Sequence, residues 1–104
     1  MRCRSSLSYA QSACAPDIAN ATAAARPGAS TAELQAQLDM YTSNPEVASV
    51  SASCCTASEK LNNAKCNCYE SVVRQGALWF GGSVTTYNQV ASLVAEVCGF
   101  EKIC

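Results

Sequence analysis

The stretch CCTASEKLNNAKCNC, Cys54 to Cys68, crowds four thiols into fifteen residues. Neither pair suits a bond within itself. Adjacent residues stand about 3.8 Å apart at Cα, below the roughly 4.4–6.8 Å that a disulfide spans. On a helix, Cys54 and Cys55 point about 100° apart, and Cys66 and Cys68 about 200° apart. Each pair therefore reaches toward two different neighbours, and the outside partners are Cys3 and Cys14 on one side and Cys98 and Cys104 on the other. The arrangement predicts a cross-linked helical bundle.

Composition explains why cross-links are needed. The chain has 104 residues, a net charge of -1, eight cysteines and no histidine. Its 49% apolar content includes 18 alanines and the cysteines, which leaves 25 larger apolar residues. A core that thin, in a single domain spanning 1–104, offers little surplus over chain entropy, and covalent staples are the usual remedy. An even, dense set of cysteines reads as a disulfide framework made in an oxidising compartment. Zinc would need closed four-thiolate sites with spacings such as C-x2-C, and redox catalysis would need C-x-x-C; the sequence has neither. No metal or other cofactor is expected.

Helical signals dominate from end to end. Cys3, Leu7, Ala10 and Cys14 share one face of a first helix. Pro16 is expected to end it and open a second, alanine-rich helix running to about Arg26, closed by Pro27-Gly28. Ser30-Thr31-Ala32-Glu33 reads as a capping box, starting a helix with Leu34 and Leu38 on one face and an end near Tyr41. Asn44-Pro45-Glu46 reads as the start of a helix that carries Val47, Val50, Cys54 and Leu61. Cys66 to Gln75 predicts a short helix stopped by Gly76. From about Thr85, the residues Val90, Leu93, Val94 and Val97 follow helical periodicity up to a glycine cap at Gly99. Between these last two helices, Gly76 to Gly82 holds the only tryptophan and Phe80. The rings either plug the core or form an apolar lip at a portal or membrane surface.

Several functions are excluded on chemistry. A near-zero charge argues against a nucleic-acid binder or a cationic membrane-disrupting peptide, since each needs a positive field. An enzyme is not expected: without histidine the usual general base is missing, Ser83 lacks a nucleophile-elbow context, and the carboxylates are scattered. The sequence opens without an apolar signal segment, as expected of a mature secreted form. Asn20-Ala21-Thr22 is a glycosylation sequon, with Asn20 as acceptor.

Written out, the cysteines run C-x10-C-x39-CC-x10-C-x-C-x29-C-x5-C. This order resembles the eight-cysteine motif of plant non-specific lipid-transfer proteins and their superfamily of seed albumins, amylase and protease inhibitors and hydrophobic seed proteins. Leu61 before the CxC, Asn67 within it and Cys98-Gly99 strengthen the likeness. The 39-residue gap is much longer than the family's, which predicts a helical insert over 16–42. The gap from CC to CxC is shorter than usual, and the family's tail tyrosine and head-group arginine have no counterpart.

The resemblance implies an all-α fold: a compact right-handed bundle of four to six short helices, stapled by four disulfides. It also implies a pairing. A polar residue inside the CxC goes with Cys3–Cys68, Cys14–Cys54, Cys55–Cys98 and Cys66–Cys104, whereas an apolar one goes with Cys3–Cys66 and Cys68–Cys104. Asn67 thus points to the first set. The implied function is carriage of a fatty acid, lysolipid or similar hydrophobic ligand by a monomer, with contact at a membrane surface and none with nucleic acid.

Candidate lining residues are Leu34, Leu38, Val47, Val50, Val72, Leu78, Trp79, Phe80, Val90, Leu93, Val94, Val97 and Ile103. Lys60, Arg74 and Lys102 are candidates to meet a charged head group. If the insert fills the groove instead, these residues are simply the core. The domain would then act through its surface, as an inhibitor or a ligand for an extracellular receptor.

Overall fold

The computed structural model describes residues 2–24 and 31–104, with side chains at 3–18, 35–46 and 48–104. Among these residues there are five helices and no strand: α1 (Arg2–Ala24), α2 (Thr31–Ser43), α3 (Ala52–Asn63), α4 (Glu70–Ala77) and α5 (Val84–Cys98). Single 3-10 turns lie at Pro45–Val47, Cys66–Cys68 and Leu78–Phe80. The chain is an all-α bundle held by four disulfides, with no free cysteine.

Helix α1 overturns the expected break. It runs through Pro16 for 23 residues, so no second helix begins there. A proline inside a helix leaves the carbonyl four residues earlier without its donor. Here both Pro16 and Ser12 lie on the exposed face, where water can serve that carbonyl. The helix is also fixed on either side of the proline. Cys14 is bonded to Cys54, and Asp17 accepts from the backbone N–H and hydroxyl of Ser51 at 2.8 and 2.9 Å. The Asn20 side chain, Arg26 and Pro27-Gly28 fall outside the described residues, as does Ser30 of the expected capping box.

The same Ser51 decides where α3 starts. Asn44 makes no side-chain cap, and Pro45 opens only one 3-10 turn. The chain then extends through Ala48, and Ser51 caps α3 by accepting from the Cys54 N–H at 3.2 Å. Helix α4 departs from expectation at both ends. Cys66–Cys68 is a separate 3-10 turn, followed by extended Tyr69. Gly76 does not stop α4 but lies buried within it, where a Cβ would run into the ring of Tyr87. Helix α5 begins under a Ser83 cap and ends at left-handed Gly99, whose N–H reaches the Ala95 carbonyl at 2.9 Å.

The disulfides set the layout. Cys54 ties α3 to α1 and Cys55 ties α3 to α5. The CxC pairing differs from the one implied by the resemblance: Cys3 bonds Cys66 and Cys68 bonds Cys104, in place of Cys3–Cys68 and Cys66–Cys104. The reason lies in Asn67. Its side chain turns inward and accepts a hydrogen bond from the Tyr87 hydroxyl at 2.7 Å, so a polar residue occupies the inward position. Cys66 is then fully buried against Cys3, while Cys68 stays exposed at the rim.

A solid core sits at the Cys3–Cys66 end, built from Leu7, Ala10, Ala57, Leu61, Val72, Ala77 and Tyr87 around that disulfide. Helices α2 and α4 carry no cysteine. Helix α2 packs on α5, with Leu38 buried and a polar clasp between the two helices. In the clasp, Gln35 and Gln89 both donate to Asp39, at 3.0 and 2.8 Å, and Gln35 also donates to Gln89. These two amides hold the Asp39 carboxyl below the usual aspartate range, Gln89 contributing more than Gln35.

Candidate functional site

Beyond the solid core, α1, α3 and α5 splay around a half-open cavity of about 110 Å³. Helical spacing builds each wall. Leu7, Ala10, Gln11, Cys14, Asp17 and Ile18 recur at steps of three and one along one face of α1. Tyr87, Val90, Ala91 and Val94 do the same on α5, and Cys54, Ser58, Leu61 and Asn62 follow at steps of four, three and one on α3. Val50 and Asn67 complete the sides, and Phe100 and Lys102 close one margin. The lining is overwhelmingly apolar. Leu7, Ala10, Leu61 and Tyr87 belong to both cavity and core, so the solid end forms the floor.

The glycine-flanked aromatic segment splits between its two expected roles. Phe80 packs against the core and lines the cavity. Trp79 also lines it but is 38% exposed, and Leu78 points outward at 65%. The rings of Trp79 and Phe80 lie 5.9 Å apart, and those of Phe80 and Tyr87 6.5 Å. An aromatic ladder thus leads from solvent to the cavity floor. Gly81 and Gly82, at φ of 67° and 86°, make the left-handed turn that folds this segment back.

Polar groups are few and mostly engaged. Burial pushes the Tyr87 phenol above its ordinary pKa, with the bond to Asn67 opposing. Asp17 is occupied by Ser51. The Asn62 side chain is buried and spends both ends on the segment after α5, donating to the Glu101 carbonyl and accepting from the Ile103 N–H, each at 2.8 Å. Lys102 makes no ion pair among the described residues and lies at the cavity margin.

Of the sequence candidates, the cavity gathers Val50, Trp79, Phe80, Val90, Val94 and Lys102. Val72 belongs to the core, and Leu38 and Leu93 are buried outside the cavity. Leu78, Val97 and Ile103 do not line it, and the side chains of Leu34 and Val47 fall outside those described. Two head-group candidates are elsewhere. Lys60 lies over the Tyr9 ring at 5.7 Å, and exposed Arg74 pairs with Glu70 at 2.5 Å.

Sequence reasoning missed the contribution of α1 beyond Cys14, because Pro16 appeared to end the helix there. It also missed Phe100, which follows the glycine cap and carries no periodic signal. Among the described residues, no group of three His, Cys, Asp or Glu side chains converges as a metal site. Comparison with protein-family models, curated proteins and solved structures found no match.

Proposed function

We propose that this protein is a secreted carrier of small hydrophobic molecules, of the lipid-transfer kind that its cysteine order resembles. The observation that supports this reading is the apolar cavity of about 110 Å³ kept open inside a cross-linked bundle. An unfilled interior costs a domain packing energy. Four disulfides, each contributing about 2–4 kcal/mol though not additively, offset that cost here. The volume is of the order of the ~150 Å³ apolar cavities that stay dry and admit a benzene-sized guest. It suits one chain of an amphiphile, inserted part-way.

Affinity arithmetic restricts the ligand further. A six-carbon stretch would contribute about 5 kcal/mol at ~0.8 per methylene, short of the roughly 8 kcal/mol that micromolar binding requires. Contact of the remaining chain with the aromatic lip, and of an anionic head with Lys102, supplies the difference. Single-chain fatty acids and lysolipids fit this account, with the head group at the Lys102 margin.

The test is displacement of a fluorescent fatty acid by unlabelled ones. The expected result is saturable, one-to-one uptake in the micromolar range, weakened several-fold by Lys102→Ala for carboxylates but not for the matching alcohols. Absence of saturable uptake overturns the carrier reading and leaves surface recognition of a protein partner.

A further inference from the structure

The four disulfides differ in access, and the most accessible one holds a wall of the cavity. Cys3, Cys66, Cys14 and Cys54 are all buried, and Cys55 and Cys98 are half-buried. Only in Cys68–Cys104 are both residues exposed. That bond secures the segment 99–104, which has no helical backbone of its own beyond the Gly99 cap. The segment brings Phe100 and Lys102 to the cavity margin. Apart from the disulfide, its attachments include the bond Asn62 donates to the Glu101 carbonyl, the bond Asn62 accepts from the Ile103 N–H, and the bond from the Phe100 N–H to the Ala95 carbonyl at 3.0 Å.

We infer that Cys68–Cys104 is a reducible latch: opening it frees the segment 101–104 from the cavity margin while the other three bonds keep the bundle intact. The regulatory part of this inference rests on the carrier reading; the opening itself does not. Exposure governs which disulfide an external thiol reaches first. The reductant is a small dithiol. One of its thiolates attacks a sulfur of the Cys68–Cys104 pair, forming a mixed disulfide and expelling the other sulfur as thiolate. Its second thiol then closes on the first, so the reductant leaves oxidised by two electrons and Cys68 and Cys104 remain as thiols. Cys55–Cys98 still clamps α5 to α3. The Phe100 N–H stays bonded to the Ala95 carbonyl at 3.0 Å, so the pivot lies just beyond it; Lys102 swings away and the cavity opens along that side.

The test uses the oxidised protein treated with limiting dithiothreitol, quenched with iodoacetamide and mapped by mass. Cys68 and Cys104 should be alkylated at least about tenfold faster than the other six cysteines. The selectively opened protein should keep its helical circular dichroism. Its Ile103 amide should exchange at least about tenfold faster, with the amides of α1 and α3 unchanged. A fluorescent fatty acid loaded beforehand should leave about tenfold faster. First opening of another disulfide, joint loss of all four, or an unchanged Ile103 amide overturns the latch. Faster exchange with unaltered release overturns its gating role. Failure of the oxidised protein to take up the probe refutes the carrier reading instead, and the alkylation order and Ile103 exchange still decide whether the latch opens. The double variant Cys68→Ser with Cys104→Ser should reproduce the open state without reductant; its failure to fold contradicts the proposal.

Discussion

Tyr87 makes two contacts that explain two departures from expectation. Its ring occupies the space a side chain at position 76 would need, so Gly76 is a notch in α4 rather than a helix stop. Its hydroxyl turns Asn67 inward, and with it the CxC pairing. Neither contact is legible in sequence, because each joins residues that no periodicity connects. Gly76→Ala tests the first. Helix propensity alone favours alanine by about 1 kcal/mol, but overpacking against Tyr87 costs about 1–3 kcal/mol. Denaturant unfolding should show a net loss of stability; a clear gain contradicts the contact. Asp39 gives a second prediction at this scale. Because its folded-state pKa is depressed, its contribution to stability is present above the unfolded value and fades as pH falls through the folded one. Acidification below the ordinary value of 3.8 should therefore speed amide exchange in α2 ahead of α1 and α3. Gln89→Leu, which removes the larger cause, should bring the Asp39 midpoint back toward that value by NMR titration.

At the scale of elements, what was legible and what was not divide along one line. Helix α5 was readable from its apolar spacing and glycine cap, since its local signals and its packing agree. The start of α3 was not: Asn44-Pro45-Glu46 reads as the helix start, whereas the observed start at Ser51 is held by Asp17 on another helix. Helix α1 shows the same override: tertiary anchors on both sides of Pro16 hold a helix that local rules would break. The carbonyl left without a donor should still have a cost. Pro16→Ala is expected to stabilise the protein by about 1–3 kcal/mol, the gain in helix energy being offset in part by a freer unfolded chain. A thermal midpoint raised by several degrees would agree with this, and a lowered one would show that the proline is required where it stands.

For the molecule as a whole, cysteine order and thin apolar content already pointed to a stapled helical bundle, and the structure has that form. The radius of gyration is 12.7 Å, close to the roughly 13 Å expected of a compact chain of this length. Sequence could not say whether the space between helices is packed, because a lining residue and a core residue share the same spacing. Val72 and Val90 are the example: both lie on the apolar faces of their helices, yet one is core and the other faces the cavity. Ala91 offers the sharpest probe, as a small residue on the cavity wall with room in front of it. The decisive measurement is titration of a fluorescent fatty acid into the native protein and into Ala91→Phe. If the hollow is the binding site, the native protein binds one probe at micromolar concentration. The variant then binds at least about tenfold more weakly with a thermal midpoint no lower than native. Equal affinity in both proteins, or no binding by either, would contradict the account.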